Sequence, residues 1–364
     1  FITTDVNEAI FYQQLNLGAS TSVGQDGRIV YFNSQGLNPD CWTATGSNPT
    51  NDAALVTGCA RQNLTTGVIS TRVQSRSNRD RAYNNAIIAQ STGKGSSDSF
   101  TLALSQPFNE GDWSWNVGYT YTLATEVSPL TSSTSGSNLG NVAVFQANEE
   151  VEARSSYAIR DRFTAAVNWK HNFWGDNQTL VTVFYEGRSG KPYSYTFDND
   201  ANGDGRANDL LYIPADPSDV RFGSAAEATA FWAFVNSNAY LRNNLGTVAE
   251  RNAVTAEFVN TFDVKISQQF PGFMKGHESE IWLDIMNIGN MFNSSWGVIE
   301  QQPFPGMRGV VEYGGICGTT VTAVCTAGSA GKYVYRFNTP DKLEVYDDKG
   351  ISRWALQVGF RYNF

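Results

Sequence analysis

The chain closes with Trp354-Ala355-Leu356-Gln357-Val358-Gly359-Phe360-Arg361-Tyr362-Asn363-Phe364. In an extended strand successive side chains point to opposite sides, so Trp354, Leu356, Val358, Phe360, Tyr362 and Phe364 share one face. Arg353, Ala355, Gln357, Gly359, Arg361 and Asn363 share the other. A strand needs about 9–11 residues to cross a bilayer at the usual barrel tilt, and this segment reaches that length. A soluble sandwich uses the same alternation to pack its apolar face on a second sheet, so the neighbouring segments have to decide the environment.

They repeat the pattern. Phe100, Leu102, Leu104 and Phe108 alternate with Thr101, Ala103 and Ser105, and after Asn109-Glu110-Gly111-Asp112 the series Trp113, Trp115, Val117, Tyr119, Tyr121 and Leu123 alternates with Ser114, Asn116, Gly118, Thr120 and Thr122. A second hairpin runs from Tyr157, Ile159, Phe163, Ala165, Val167 and Trp169 through Trp174-Gly175-Asp176-Asn177 to Leu180–Tyr185. A third joins Phe262, Val264, Ile266 and Phe270 to Ile281, Leu283 and Ile285 across the turn 271–276. With a weaker strand near Ala9–Leu17 and the last strand, roughly eight crossings are predicted.

The connections are sorted by length. The hairpin turns are short, whereas the alternate connections, near 18–96, 126–154, 196–255 and 295–349, are long and polar, as in outer-membrane barrels with short periplasmic turns and long external loops. Phe108, Trp113, Phe173, Trp174, Phe270 and Phe273 cluster beside the short turns, where an interfacial aromatic girdle belongs. The expected class is therefore all-β, a transmembrane antiparallel β-barrel carrying long external loops.

Composition agrees. Of 364 residues 17% are charged and 13% aromatic, with 33 Gly, which favours turn-rich β structure. The net charge of −9 supplies no basic stripe for phosphates, so no nucleic-acid partner is expected. No run of ~18 apolar residues offers a membrane-spanning helix. Phe1-Ile2-Thr3-Thr4 is not a signal-peptide start, so either processing removed one or the chain begins inside a larger protein. The four cysteines form two local pairs, Cys41 with Cys59 and Cys317 with Cys325, in polar segments; two disulfides are expected, with four unrelated thiols as the alternative.

The spacing of these elements resembles the C-terminal third of TonB-dependent receptors, specifically the Oar-like group. The residues carrying the resemblance are 116–122 (Asn-Val-Gly-Tyr-Thr-Tyr-Thr), 200–214, Arg251-Asn252, 286–293 (Met-Asn-Ile-Gly-Asn-Met-Phe-Asn) and the last strand. Phe360, Tyr362 and Phe364 resemble the terminal signal read by the barrel assembly machinery. The resemblance implies an outer-membrane location in a Gram-negative bacterium. It also implies a 22-stranded barrel of which about eight strands lie here, with a plug that contacts TonB and, in Oar-like members, a small β-sandwich before it. On this reading neither the plug nor the other strands are in this chain, so outer-membrane lipid, the remaining strands, the plug and an unidentified transported ligand become the expected partners. The alternative is a self-contained small barrel serving as an adhesin or structural surface protein.

Asp200-Ala201-Asn202-Gly203-Asp204-Gly205 fits the start of a calcium loop, D-x-[DN]-x-[DN]-G, in which oxygens at alternate positions converge on a hard cation and the sixth-position Gly permits the turn. Asp200, Asn202 and Asp204 are candidate side-chain ligands, and Arg206 is a candidate through its carbonyl. Asn208 or Asp209 closes the sphere, and Asp198 is an additional candidate. Leu211 stands where an acidic twelfth ligand is expected, and an ordinary Asp/Asn/Gly turn is the competing explanation. Ser224-Ala225-Ala226-Glu227 is a capping box opening a helix whose Phe231, Trp232 and Phe234 are candidates for a ligand-facing patch or for packing among loops. No nucleophile–base pair, zincin or P-loop pattern occurs, so no enzyme activity is expected. The inward charges Arg160, Arg162, Lys170, Asp263, Lys265, Asp284, Arg353 and Arg361 read as lumen ion pairs or plug contacts.

Overall fold

The computed structural model describes residues 2–5, 9–20, 22–43, 86–109 and 111–364, with the backbone alone at 2–5. Cys59, the rest of 44–85 and Glu110 lie outside the described residues. In chain order the principal strands are β1 (Ile2–Asp5), β2 (Ala9–Gln14), β3 (Ile87–Thr92), β4 (Ser96–Gln106), β5 (Trp113–Glu126), β6 (Asp161–Trp174), β7 (Asn177–Arg188), β8 (Pro192–Phe197), β9 (Arg221–Phe222), β10 (Val254–Thr255), β11 (Val259–Pro271), β12 (Glu278–Met286), β13 (Met307–Ile316), β14 (Tyr333–Phe337) and β15 (Ala355–Asn363). Two of the helices are α1 (Ala225–Ser237) and α2 (Ala239–Asn243). The chain is predominantly β.

One antiparallel sheet runs β1-β4-β5-β6-β7-β11-β12-β15 and is open at both ends. Its register carries the alternation from strand to strand. Trp115, Val167, Val183, Val264, Ile285 and Leu356 form one transverse row; the next row on the same face is Trp113, Trp169, Val181, Ile266, Leu283 and Val358. Between them, on the opposite face, stand Ser114, Asn168, Thr182, Lys265, Asp284 and Gln357. That polar row is bonded along its length: Asn168 donates to Ser114 at 3.1 Å, Thr182 donates to Asn168 at 2.8 Å, and Lys265 lies 3.8 Å from Asp284. Arg162 with Glu186 at 2.7 Å, and Arg361 with Glu280 at 3.9 Å, add ion pairs to the polar side. Of the other charges expected inside, Arg160 pairs with the adjacent Asp161, Arg353 with Asp347, and Lys170 lies over the Phe108 ring.

Among the described residues no second sheet covers the apolar face. Leu356, Val358 and Phe360 keep 50, 66 and 60% of their surface exposed. A one-residue slip in any strand would throw its whole apolar set to the polar side, so register and amphipathicity specify each other.

The N-terminal strand differs from the expectation. Ala9–Gln14 is a strand, but it pairs with β3 in a separate ladder, and the sheet's first strand is β1. The two ladders share one register: Ile2 faces Ser99, and Ala9, seven residues on, faces Thr92, seven residues back. β2–β3 thus continues the β1–β4 hairpin beyond the main sheet, past Gly93-Lys94-Gly95. The alternation near Ala9 was a true strand signal read one span too far along.

The long connections are not merely polar loops. They build a second, mixed sheet, β9-β14-β13-β8-β10, in which β8 runs parallel to β13 and β9 parallel to β14. All six residues of β8 are buried, and Tyr195, Phe197, Tyr313, Tyr333 and Tyr335 are at most 1% exposed. Phe32 stacks on Tyr313 at 5.2 Å and Trp42 meets it edge-on at 5.4 Å, so the first long connection joins the same core. This cap has an aromatic interior of its own. Replacing Phe231, fully buried against Phe222, Tyr335 and Phe337, by Ala is expected to cost about 3–5 kcal/mol of cap stability. The check is a near-ultraviolet melt shifted downward while the far-ultraviolet β signal of the main sheet is retained.

Candidate cation-binding loop and its surroundings

β8 delivers the chain directly into the acidic loop. Asp200 accepts from Gly203 N at 2.6 Å and Gly205 N at 2.8 Å, Asn202 Oδ1 accepts from Asp204 N at 2.7 Å, and Asp204 Oδ1 accepts from Arg206 N at 2.8 Å. These short side-chain-to-backbone bonds are why Asp and Asn alternate here: each closes a turn that the next begins. Gly203 has φ +83°, and a Cβ there would lie 2.6 Å from Phe32 N, so only glycine fits.

Asn202, Asp204, Asn208 and Asp209 are buried. Asn208 donates to the Leu139 and Val142 carbonyls at 3.1 and 2.7 Å, which leaves its Oδ1 buried and without a hydrogen-bond partner. Arg206 turns its side chain away, Nη1 donating to Gly136 O at 2.7 Å. Asp209 is engaged elsewhere: Ala201 N donates to it at 2.8 Å, and the fully buried Arg28 lies 3.0 Å from it. Arg28 is shared, pairing also with Asp26 at 3.0 Å, and its guanidinium sits 5.0 Å from the centre of the Phe197 ring. Tyr333 completes the group by donating to Asp26 at 2.7 Å.

Burial sets the electrostatics. It pushes Asp200 well above the usual carboxylate range, with Asp204 and Asp209 adding to the shift. Burial likewise pushes Asp209 up to about 7; Arg28 opposes and Asp204 reinforces the rise. A hard cation among these oxygens relieves that concentration of negative charge. The donor set fits one: the Asp200 and Asp204 carboxylates, the Asn202 amide oxygen, the Arg206 carbonyl and the unpartnered Asn208 Oδ1. Among the described residues no three His, Cys, Asp or Glu side chains group as a metal centre.

The other candidates are placed as follows. Asp198 does not join the loop; its carboxylate lies against Gly309 on β13. Cys317 and Cys325 form a disulfide with Cα atoms 5.4 Å apart. Cys41 is buried, and its expected partner Cys59 lies outside the described residues. Ser224 caps α1, accepting from Glu227 N at 3.2 Å, while Glu227 reaches back to Gly223 N. Phe231 is fully buried, and Trp232 and Phe234 are partly buried against the same core. At the chain end Phe360 and Phe364 are exposed, whereas Tyr362 stacks on Phe273 at 5.5 Å and its hydroxyl meets His277 Nδ1 at 2.8 Å.

Sequence reasoning missed Arg28 and Asp26. An isolated Arg far along the chain from Asp209 carries no local signature. The alternations Tyr193-x-Tyr195-x-Phe197 and Tyr333-x-Tyr335-x-Phe337 were readable as strands but lay at or inside segments taken as loops. Compared with protein-family models, with curated proteins and with solved structures, the chain matches none.

A raised acid contributes stability that is fully present below its unfolded value and lost as pH rises through the folded one. In divalent-free buffer the cap is therefore expected to melt lower at about pH 8 than at about pH 6, the loss running upward from the ordinary carboxylate range and levelling off above about 7, where Asp209 ionises in the folded cap. A melting temperature that stays level or climbs over that interval contradicts the assignment.

Proposed function

We propose that the chain forms the C-terminal strands and external cap of a TonB-dependent outer-membrane transporter of the Oar-like group. The observation that carries this reading is the transverse register of exposed apolar residues across β5, β6, β7, β11, β12 and β15, with a bonded polar face behind it. Acyl chains are the natural cover for such a face, and a hydrated interior suits the other. The strands have the right length, 9–14 residues from β4 to β15 within this sheet.

Closure comes next. Hydrocarbon tolerates no unpaired backbone edge, and β1 and β15 each pair with one neighbour in the open sheet. Further strands on both sides of a larger barrel satisfy these edges, and this favours the transporter over the small barrel with an adhesive or structural role. On this reading a plug fills the lumen and engages TonB, and the assembly machinery recognises Phe360, Tyr362 and Phe364. The cap meets the transported ligand outside. Calcium in the 200–208 loop is structural, bracing the turn that joins β8 to the rest of the cap. No catalytic step is assigned to any residue.

The mass of the protein purified from native outer membranes separates the readings. A mass well above that of 364 residues, with a plug N-terminal to this segment, is expected; a mass matching this segment alone supports the small barrel. Calcium is tested on its own: chelation is expected to lower the melting temperature of the cap, and the double variant Asp200→Asn, Asp204→Asn to abolish that response. An unchanged melting curve on chelation rejects the metal.

A further inference from the structure

The cap holds a cavity of about 360 Å³ between β13, the end of β14 and the segment 338–344. That volume is within the range that takes a small molecule. Its lining is charged with both signs: Asp198, Glu312, Asp341 and Glu344 are acidic, and Arg308, Arg336 and Lys342 are basic.

These charges are not spent on one another. Glu312 and Arg336 are direct cross-strand neighbours, yet among the described residues no ion pair or side-chain hydrogen bond joins them. Asp198 and Lys342 likewise have no side-chain hydrogen bond or ion pair among the described residues. Arg308 donates through Nη2 to the Asp341 carbonyl at 2.7 Å, but its Nε is buried without a hydrogen-bond partner. Burial raises Glu312 above the ordinary carboxylate range, with Arg336 opposing and Asp198 reinforcing, and lowers Arg336, with Glu312 opposing. Half-buried charges such as Glu312 and Arg336 that lack a direct hydrogen-bonded partner are costly unless a ligand or water supplies one.

We propose that this cavity binds a small zwitterion, its carboxylate received by Arg336 and Arg308 and its ammonium by Glu312 and Asp198. A ligand bearing both charges neutralises both halves of the lining at once, whereas a simple anion or cation leaves one half uncompensated. The assignment stands on the cap alone and does not depend on the transport reading.

Calorimetric titration of the full chain in detergent tests it with three probes of one skeleton: L-glutamine, N-acetyl-L-glutamine, which lacks the ammonium, and L-glutaminamide, which lacks the carboxylate. L-glutamine is expected to bind, and each single-charge analogue to bind at least about tenfold more weakly, as loss of a charged hydrogen-bonding partner implies. Arg336→Gln is expected to weaken L-glutamine about tenfold while leaving L-glutaminamide unaffected, and Glu312→Gln to do the converse with N-acetyl-L-glutamine. The probe series on the unaltered protein needs no variant to fold. No heat with L-glutamine at millimolar concentration, or equal affinity for all three probes, overturns the proposal.

Discussion

A strand's side chains alternate, and in this molecule six neighbouring strands alternate in step. That coincidence of phase is the constraint on which the rest depends. Were β7 displaced by one residue against β6, Val181 and Val183 would leave the rows of Trp169 and Val167 and stand beside Asn168, and the Ser114–Asn168–Thr182 hydrogen bonds would have no counterparts. Among the described residues neither face of the sheet is covered by a core that could enforce the phase. It is enforced by cross-strand pairing within the sheet and by whatever solvent lies against each face.

The cap solves a different problem. Its segments come from distant parts of the chain and share one buried core. Aromatic residues supply large buried areas at few rotatable bonds, and Tyr also carries a hydroxyl that finds a partner in the interior. Tyr333 bonds Asp26, and Tyr335 donates to Tyr212 O at 2.7 Å. Arg28 then ties the first long connection to the acidic loop through Asp209. A buried ion pair of this kind is weak evidence for added stability, but removing one partner strands the other, so it fixes which loops meet.

The wall of long strands was legible from residue types because the signal is local: period two, with Gly and Asn at the short turns. Gly175, with φ +58° in the turn after Trp174, is such a case. The acidic loop was legible for the same reason, since Asp200, Asn202 and Asp204 each bond backbone groups two to five residues away. What could not be read was assembly over distance. Nothing near Tyr195 announces Tyr313 or Phe32, and nothing near Asp209 announces Arg28. The first strand was placed too late because Ile2–Asp5 is too short to show a period, whereas Ala9–Gln14 shows one. Phe231, Trp232 and Phe234 read equally as a ligand-facing patch or as packing among loops, because the sheet that the helix covers is distant in sequence.

The central claim, that the two faces of this sheet meet different media, is open to direct measurement along β15. An environment-sensitive fluorophore is placed on a single cysteine introduced at each position from 354 to 361 in turn, in protein reconstituted into vesicles, and quenched from the bilayer by brominated lipid or from water by iodide. The account predicts bilayer quenching at 354, 356, 358 and 360 and aqueous quenching at 355, 357, 359 and 361. Quenching by iodide at all eight positions, or no alternation, would contradict it.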